Sequence, residues 1–177
     1  MRRSVTLLVV VVLVAAACGD DDGPAADEMP ADFVADYSWI EGSVPPPFHY
    51  EYTIEIRADG ASQITMIPDY PGSDVPEWTV PLDIGDSGLA SVWRAVVDNG
   101  VFTRSWDEDP MPPVGGSSAR VLVTADGTTV SIPRFLDSSA DTAAADRIYR
   151  TIEQRVPPEV WDDLLGRRQA YEDAYEG

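Results

Sequence analysis

The sequence predicts an α+β domain, a small antiparallel sheet of hairpins with helices packed on one face, in a ββαββα-like order. Three observations lead there. Phe48 to Arg57 alternates apolar and polar residues with period two. Leu89, Val92, Trp93, Val96 and Val97 recur at i, i+3, i+4, i+7 and i+8, the stripe of an amphipathic helix. Asp126-Gly127 divides two short β-rich runs as a two-residue hairpin turn does. Hairpins and helices alternate locally, so each helix has a dry sheet face at hand.

The chain opens on a segment that stands apart from this domain. Met1-Arg2-Arg3 is a basic head, and Val5 to Ala17 is apolar or nearly so, ending in small residues before Cys18. The run is shorter than the about 20 residues that span a bilayer. Its order of charged head, apolar centre and small-residue exit is that of a secretory signal over residues 1–17. Val14-Ala15-Ala16-Ala17-Cys18 resembles the lipobox of bacterial lipoproteins, with Ala15 where Leu or Val is commoner. The resemblance implies that the Cys18 thiol takes a diacylglyceryl group, becomes the mature N-terminus and holds the exported protein on a membrane.

The 12 basic and 31 acidic side chains give a net charge of −19, and loss of Arg2 and Arg3 with the leader adds two more negative units. Such a chain repels phosphate backbones, so no nucleic-acid partner is expected, and membrane attachment must come from acyl chains and not from a basic patch. Cys18 is the only cysteine. Once acylated it leaves no thiol for a disulfide, a nucleophile or a zinc-thiolate site.

Residues 18–47 read as a flexible, acidic and Pro-rich tether. Asp20, Asp21, Asp22, Asp27, Glu28, Asp32, Asp36 and Glu41 have no basic neighbours and are mixed with Gly, Pro and Ala, a composition that does not order itself. Removing Gly19 to Asp36 is therefore expected to leave domain stability unchanged. Tyr37-Ser38-Trp39-Ile40 is more apolar and suits a segment lying on the domain.

Residues 48–177 then form a single domain. In its first strand Phe48, Tyr50, Tyr52, Ile54 and Ile56 point inward while His49, Glu51, Thr53, Glu55 and Arg57 face water. A three-residue loop with Gly60 left-handed pairs Ile54 with Ile64, Tyr52 with Met66 and Glu55 with Gln63, keeping both dry faces together. Trp78, Val80 and Leu82 suggest a short third strand, held at a sheet edge by Pro76 and Pro81. Asp86 or Ser87 is placed to cap the next helix, and Asn99-Gly100 to end it. Phe102 to Trp106 suits a short strand, and Asp107 to Ser118 a loop. The second hairpin, Arg120 to Ala125 with Thr128 to Ile132, pairs Val123 with Val130 and Val121 with Ile132. A helix from Ser138 or Ser139 presents Ala145, Ile148, Tyr149, Ile152 and Val156. Pro157-Pro158 stops it and opens a third, carrying Val160, Trp161, Leu164 and Leu165.

Little in this chain signals catalysis. His49 is the only histidine, which excludes multi-histidine metal sites. The Gly115-Gly116-Ser117-Ser118 run is not a nucleophile elbow. The acidic clusters at Asp20 to Asp22, Asp107 to Asp109 and Asp162-Asp163 lack calcium-loop spacing, so neither metal nor cofactor is expected. Paired carboxylates of a hydrolase leave no mark in a sequence. An envelope hydrolase is thus the alternative to a non-enzymatic module, expected as a monomer, that binds an envelope or secreted protein. Tyr70, Trp78 and Trp106, in or beside loops, are the candidate contact residues.

The pattern from Phe48 to Leu165 also resembles the emfourin-type inhibitors of thermolysin-like metalloproteases. It shares a first hairpin with a Gly turn, a helix closing in Gly100-Val101-Phe102, a second hairpin ending in Ile132-Pro133, and a following helix. That resemblance implies a protease-inhibitor-like domain.

Overall fold

The computed structural model describes residues 28–175. Six strands form one antiparallel sheet and three helices complete the α+β fold. The strands are β1 (Val34–Ile40), β2 (Glu51–Arg57), β3 (Ser62–Ile67), β4 (Trp78–Leu82), β5 (Ser118–Ala125) and β6 (Thr128–Ile132). The helices are α1 (Gly85–Asp98), α2 (Ser139–Glu153) and α3 (Pro158–Ala174). The spatial strand order is β4-β3-β2-β1-β5-β6.

The tether expected over residues 18–47 is corrected at its strand-forming part, residues 18–27 lying outside the described residues. Residues 34–40 are the central strand, paired to β2 on one side and β5 on the other. Phe33, Ala35 and Tyr37 are buried, with Trp39 packed beside them, and they are the odd-numbered members of a clean alternation. Asp20, Asp21, Asp22 and Asp27 lie outside the described residues, whereas Asp32, Asp36 and Glu41 are built into the domain. Both Asp32 carboxylate oxygens accept bonds from the Asp126 and Gly127 backbone N–H groups, at 2.9 and 2.7 Å. These bonds hold the Asp32 carboxyl below its ordinary range. Asp36 lies on the sheet face away from the core, and Glu41 accepts from the Gly42 N–H at 3.0 Å. The simple ββαββα order thus gains a strand that stitches the β2-β3-β4 half to the β5-β6 hairpin.

Both hairpins have the expected register. Ile54 faces Ile64, Tyr52 faces Met66 and Glu55 faces Gln63, around Gly60 at φ 82°. Val123 faces Val130 and Val121 faces Ile132, around Asp126 and Gly127 at φ 49° and 71°. The strand Trp78–Leu82 is an edge, as its prolines require. The stripe Leu89, Val92, Trp93 and Val96 of α1 is buried, with Ile148 and Ile152 of α2 and Leu164 of α3 in the same core.

Four local expectations change. Phe48 is 55% exposed whereas His49 is 4% exposed, because Phe48 N–H closes a turn onto the Pro45 carbonyl at 3.0 Å and the strand begins only at Glu51. Helix α1 starts at Gly85 after Ile84, with no side-chain cap. Phe102 to Trp106 is a run of turns ending in coil, since Thr103 and Arg104 N–H both bond the Gly100 carbonyl. Leu165 is exposed, and Leu164 alone of α3 is fully buried. Ser138 does cap α2, accepting from the Ala140 and Asp141 N–H groups.

Candidate functional site

The register places three connections at one end of the sheet. Ile40 of β1 faces Glu51 of β2 and Ser118 of β5, and Glu51 faces Ile67 of β3. The segments 41–50 and 68–77 and the end of 107–117 therefore meet at that end. They touch: a Cβ on Gly42 would lie 2.7 Å from the Gly116 backbone, so only glycine permits this approach. Tyr70 stacks flat on His49 at 3.8 Å and donates its hydroxyl to the Val44 carbonyl at 2.9 Å. Exposed large apolar side chains gather on these segments: Phe48, Tyr70 at 43%, Met111 at 84%, and Val114.

Beside this end lies a cleft of about 440 Å³ between β1, the start of β5 and α2. Trp39, Phe135, Leu136 and Ala145 supply apolar wall, and Arg134, Asp146, Tyr149, Arg150 and Glu153 supply polar groups. A shallower recess of about 280 Å³, shared through Arg134 and Phe135, reaches His49 and Tyr70. On the floor, Glu153 Oε1 accepts from the Tyr37 hydroxyl at 2.7 Å and the Tyr52 hydroxyl at 2.8 Å. Burial, chiefly, pushes both phenols above their ordinary range, so both remain donors.

Of the expected contact residues, Tyr70 alone is on the exposed end as a loop aromatic. Trp78 belongs to the edge strand β4, opposite Met66, and packs on the core. Trp106 is half-buried; its indole N–H donates to the Val101 carbonyl at 3.1 Å, and the Arg104 guanidinium sits 5.5 Å over its ring. Cys18 lies outside the described residues. Among the described residues no group of three or more His, Cys, Asp and Glu is placed to hold a metal ion, and no helix is long and apolar enough to cross a membrane.

No protein-family model matches the chain, and no curated protein matches its sequence.

Carboxylates do come together among the described residues. Asp36 and Glu55 face each other across β1 and β2 on the sheet surface away from the core. Burial, then the Glu55 charge, raises the Asp36 carboxyl above its ordinary range. Glu55 is held by Arg57 at 2.7 Å and Gln63 at 3.2 Å. Asp146 and Glu153 share the cleft, but Glu153 already accepts two phenol protons, which fixes it as an acceptor. Arg134 and Tyr149 were missed in the sequence because nothing local marks them. Arg134 sits in an irregular linker after Pro133, and Tyr149 reads as one more residue of a helical stripe.

Proposed function

We propose that this protein is an exported lipoprotein, held on a membrane by acyl chains on Cys18, whose domain is a non-enzymatic module that binds an envelope or secreted protein. The observation that carries the reading is the polarity of the domain. Its chain arrives at Val34, at the end of the sheet where the Asp126-Gly127 turn lies, whereas Phe48, Tyr70, Met111 and Val114 crown the other end, roughly 20 Å away along β1. A membrane tether at one pole leaves the apolar pole facing outward. Exposed apolar patches rimmed by polar groups mark partner sites.

Charge defines the partner further. Glu41, Asp74, Glu77, Asp107 and Glu108 lie on the same connections, so the matching surface is apolar at its centre and basic at its rim. A protease would be one such partner, in keeping with the inhibitor-like pattern of hairpins and helices.

Two measurements test the reading. Cys18→Ser removes the thiol, and cells fed a clickable fatty acid should label the parent and not the variant; equal labelling ends the lipoprotein assignment. For the binding end, the chain carrying Cys18→Ser serves as bait against the envelope and secreted fractions, beside the same chain with Met111→Asp and Val114→Asp. Salt-sensitive capture of a basic protein that the double variant loses, at unchanged melting temperature, is the expected result. Identical capture by both baits overturns it.

A further inference from the structure

The sheet has two edges, and they are built differently. At the β4 edge Pro81 has no N–H to offer, a device that blocks pairing with further strands. The β6 edge, Thr128-Thr129-Val130-Ser131-Ile132, carries neither proline nor charge. Its turn closes on the pair Ala125 and Thr128, so Thr128, Val130 and Ile132 bond β5, and the N–H and C=O groups of Thr129 and Ser131 point outward. Among the described residues no strand or loop backbone pairs with them on that side. The Thr129 side chain does not cover them, since its hydroxyl meets that of Thr124 at 2.8 Å.

Beyond Pro133 the chain supplies its own partner. Asp109 N–H donates to the Phe135 carbonyl at 3.0 Å and Asp137 N–H to the Asp107 carbonyl at 3.1 Å. This bridge lays Asp107, Glu108 and Asp109 beside one end of the edge, and Asp126 stands in the turn at the other. Arg134, next after Pro133, bonds Ser118 of β5. We propose that β6 accepts an extended basic segment of a partner protein as a further antiparallel strand. The segment exchanges both bonds with Thr129 and both with Ser131, and its lysines or arginines reach the flanking carboxylates. A second copy of this chain is disfavoured as occupant, because two chains of net charge −19 repel each other. Residues directly opposite Thr129 and Ser131 point, as these do, to the sheet face away from the core, and the alternate residues fall on the side of Val130. The edge is separate from the apolar loops, and pairing along it stands or falls without docking there.

The probe is a short end-blocked peptide alternating lysine and valine, titrated calorimetrically into the chain carrying Cys18→Ser. Saturable one-to-one binding that weakens with salt is expected. Lysine suits the polar face and valine the side of Val130, so the lysine N–H groups are those that meet β6. Methylating them should weaken binding about ten-fold or more, whereas methylating the valine N–H groups should change it little. A peptide with glutamate for lysine should bind at least about ten-fold more weakly. Ser131→Pro removes an outward donor and no bond to β5, so it should abolish binding at a nearly parental melting temperature; the methylated peptides test the pairing on the parental fold even where that variant does not fold. Met111→Asp with Val114→Asp should bind the peptide no more weakly than the parent. Absence of binding, equal binding of both methylated peptides, equal binding of the glutamate peptide, or loss of binding in the Met111 and Val114 variant each overturns the proposal. A dimer of the chain alone that Ser131→Pro dissolves would make a second copy the occupant and overturn it as well.

Discussion

Tyr37 on the central strand donates its hydroxyl to Glu153 at the last turn of α2, 2.7 Å away and 116 residues later in the chain. Tyr52 donates to the same oxygen at 2.8 Å. One carboxylate thus locks the C-terminal helical layer onto two adjacent strands, at the point where the sheet forms the floor of the cleft. Removing it with Glu153→Ala leaves two phenol hydroxyls without an acceptor, at a cost of roughly 2 to 4 kcal/mol. Glu153→Gln retains a carbonyl acceptor and should lose clearly less in the same denaturant titration. Because both phenol pKa values are raised in the folded state, this stability is present below pH 10, the ordinary phenol value, and declines as pH rises beyond it. Tyr37→Phe should flatten that alkaline decline.

Deletion of residues 19–36 now has the opposite expected outcome from that suggested by composition. It removes Phe33 and Ala35, 1% and 0% exposed, and the first three of the seven residues of the strand that joins the two parts of the sheet. Circular dichroism should show a chain largely unfolded at ambient temperature. Ser38→Pro, which removes a ladder donor from a central strand, should do comparable damage; a parental melting curve for both would contradict the topology.

Trp93 is buried at the centre of α1, with the Phe33 ring edge-on at 5.2 Å and Phe102 at 6.4 Å. Trp93→Ala should cost about 3 to 5 kcal/mol, read from chemical denaturation. Its indole N–H has no partner among the described residues, so Trp93→Phe forfeits volume but no hydrogen bond and should lose less than half as much.

Asp36 supplies a pH signature on the sheet face away from the core. Its carboxyl is raised above the ordinary 3.8 by burial and by Glu55, so ionisation opposes folding. The penalty is absent below pH 3.8, grows as pH rises through the folded value, and is constant above it. Asp36→Asn should accordingly raise the melting temperature at pH 7 by a small amount, screened by solvent to under about 1 kcal/mol. The gain should vanish in acid. A gain of equal size at pH 3 would point to a cause other than charge.

The sequence by itself determined the elements whose information is local. Ala58-Asp59-Gly60 and Asp126-Gly127 set both hairpin registers, because moving either by one residue turns every side chain to the other face. The Leu89 to Val97 stripe set α1, and Ser138 set the start of α2. The tertiary structure alone decided what Val34 to Ile40 would be. Its alternation of Phe33, Ala35, Tyr37 and Trp39 is visible in the sequence, yet it follows a run of acid, Gly, Pro and Ala, and seven residues are ordered as a strand here only because β2 and β5 saturate their backbone on both sides. The same holds for the candidate site. Arg134, Tyr149 and Trp39 lie on three separate elements and carry no shared spacing, so their convergence exists only after the sheet has closed around β1 and α2 has packed upon it.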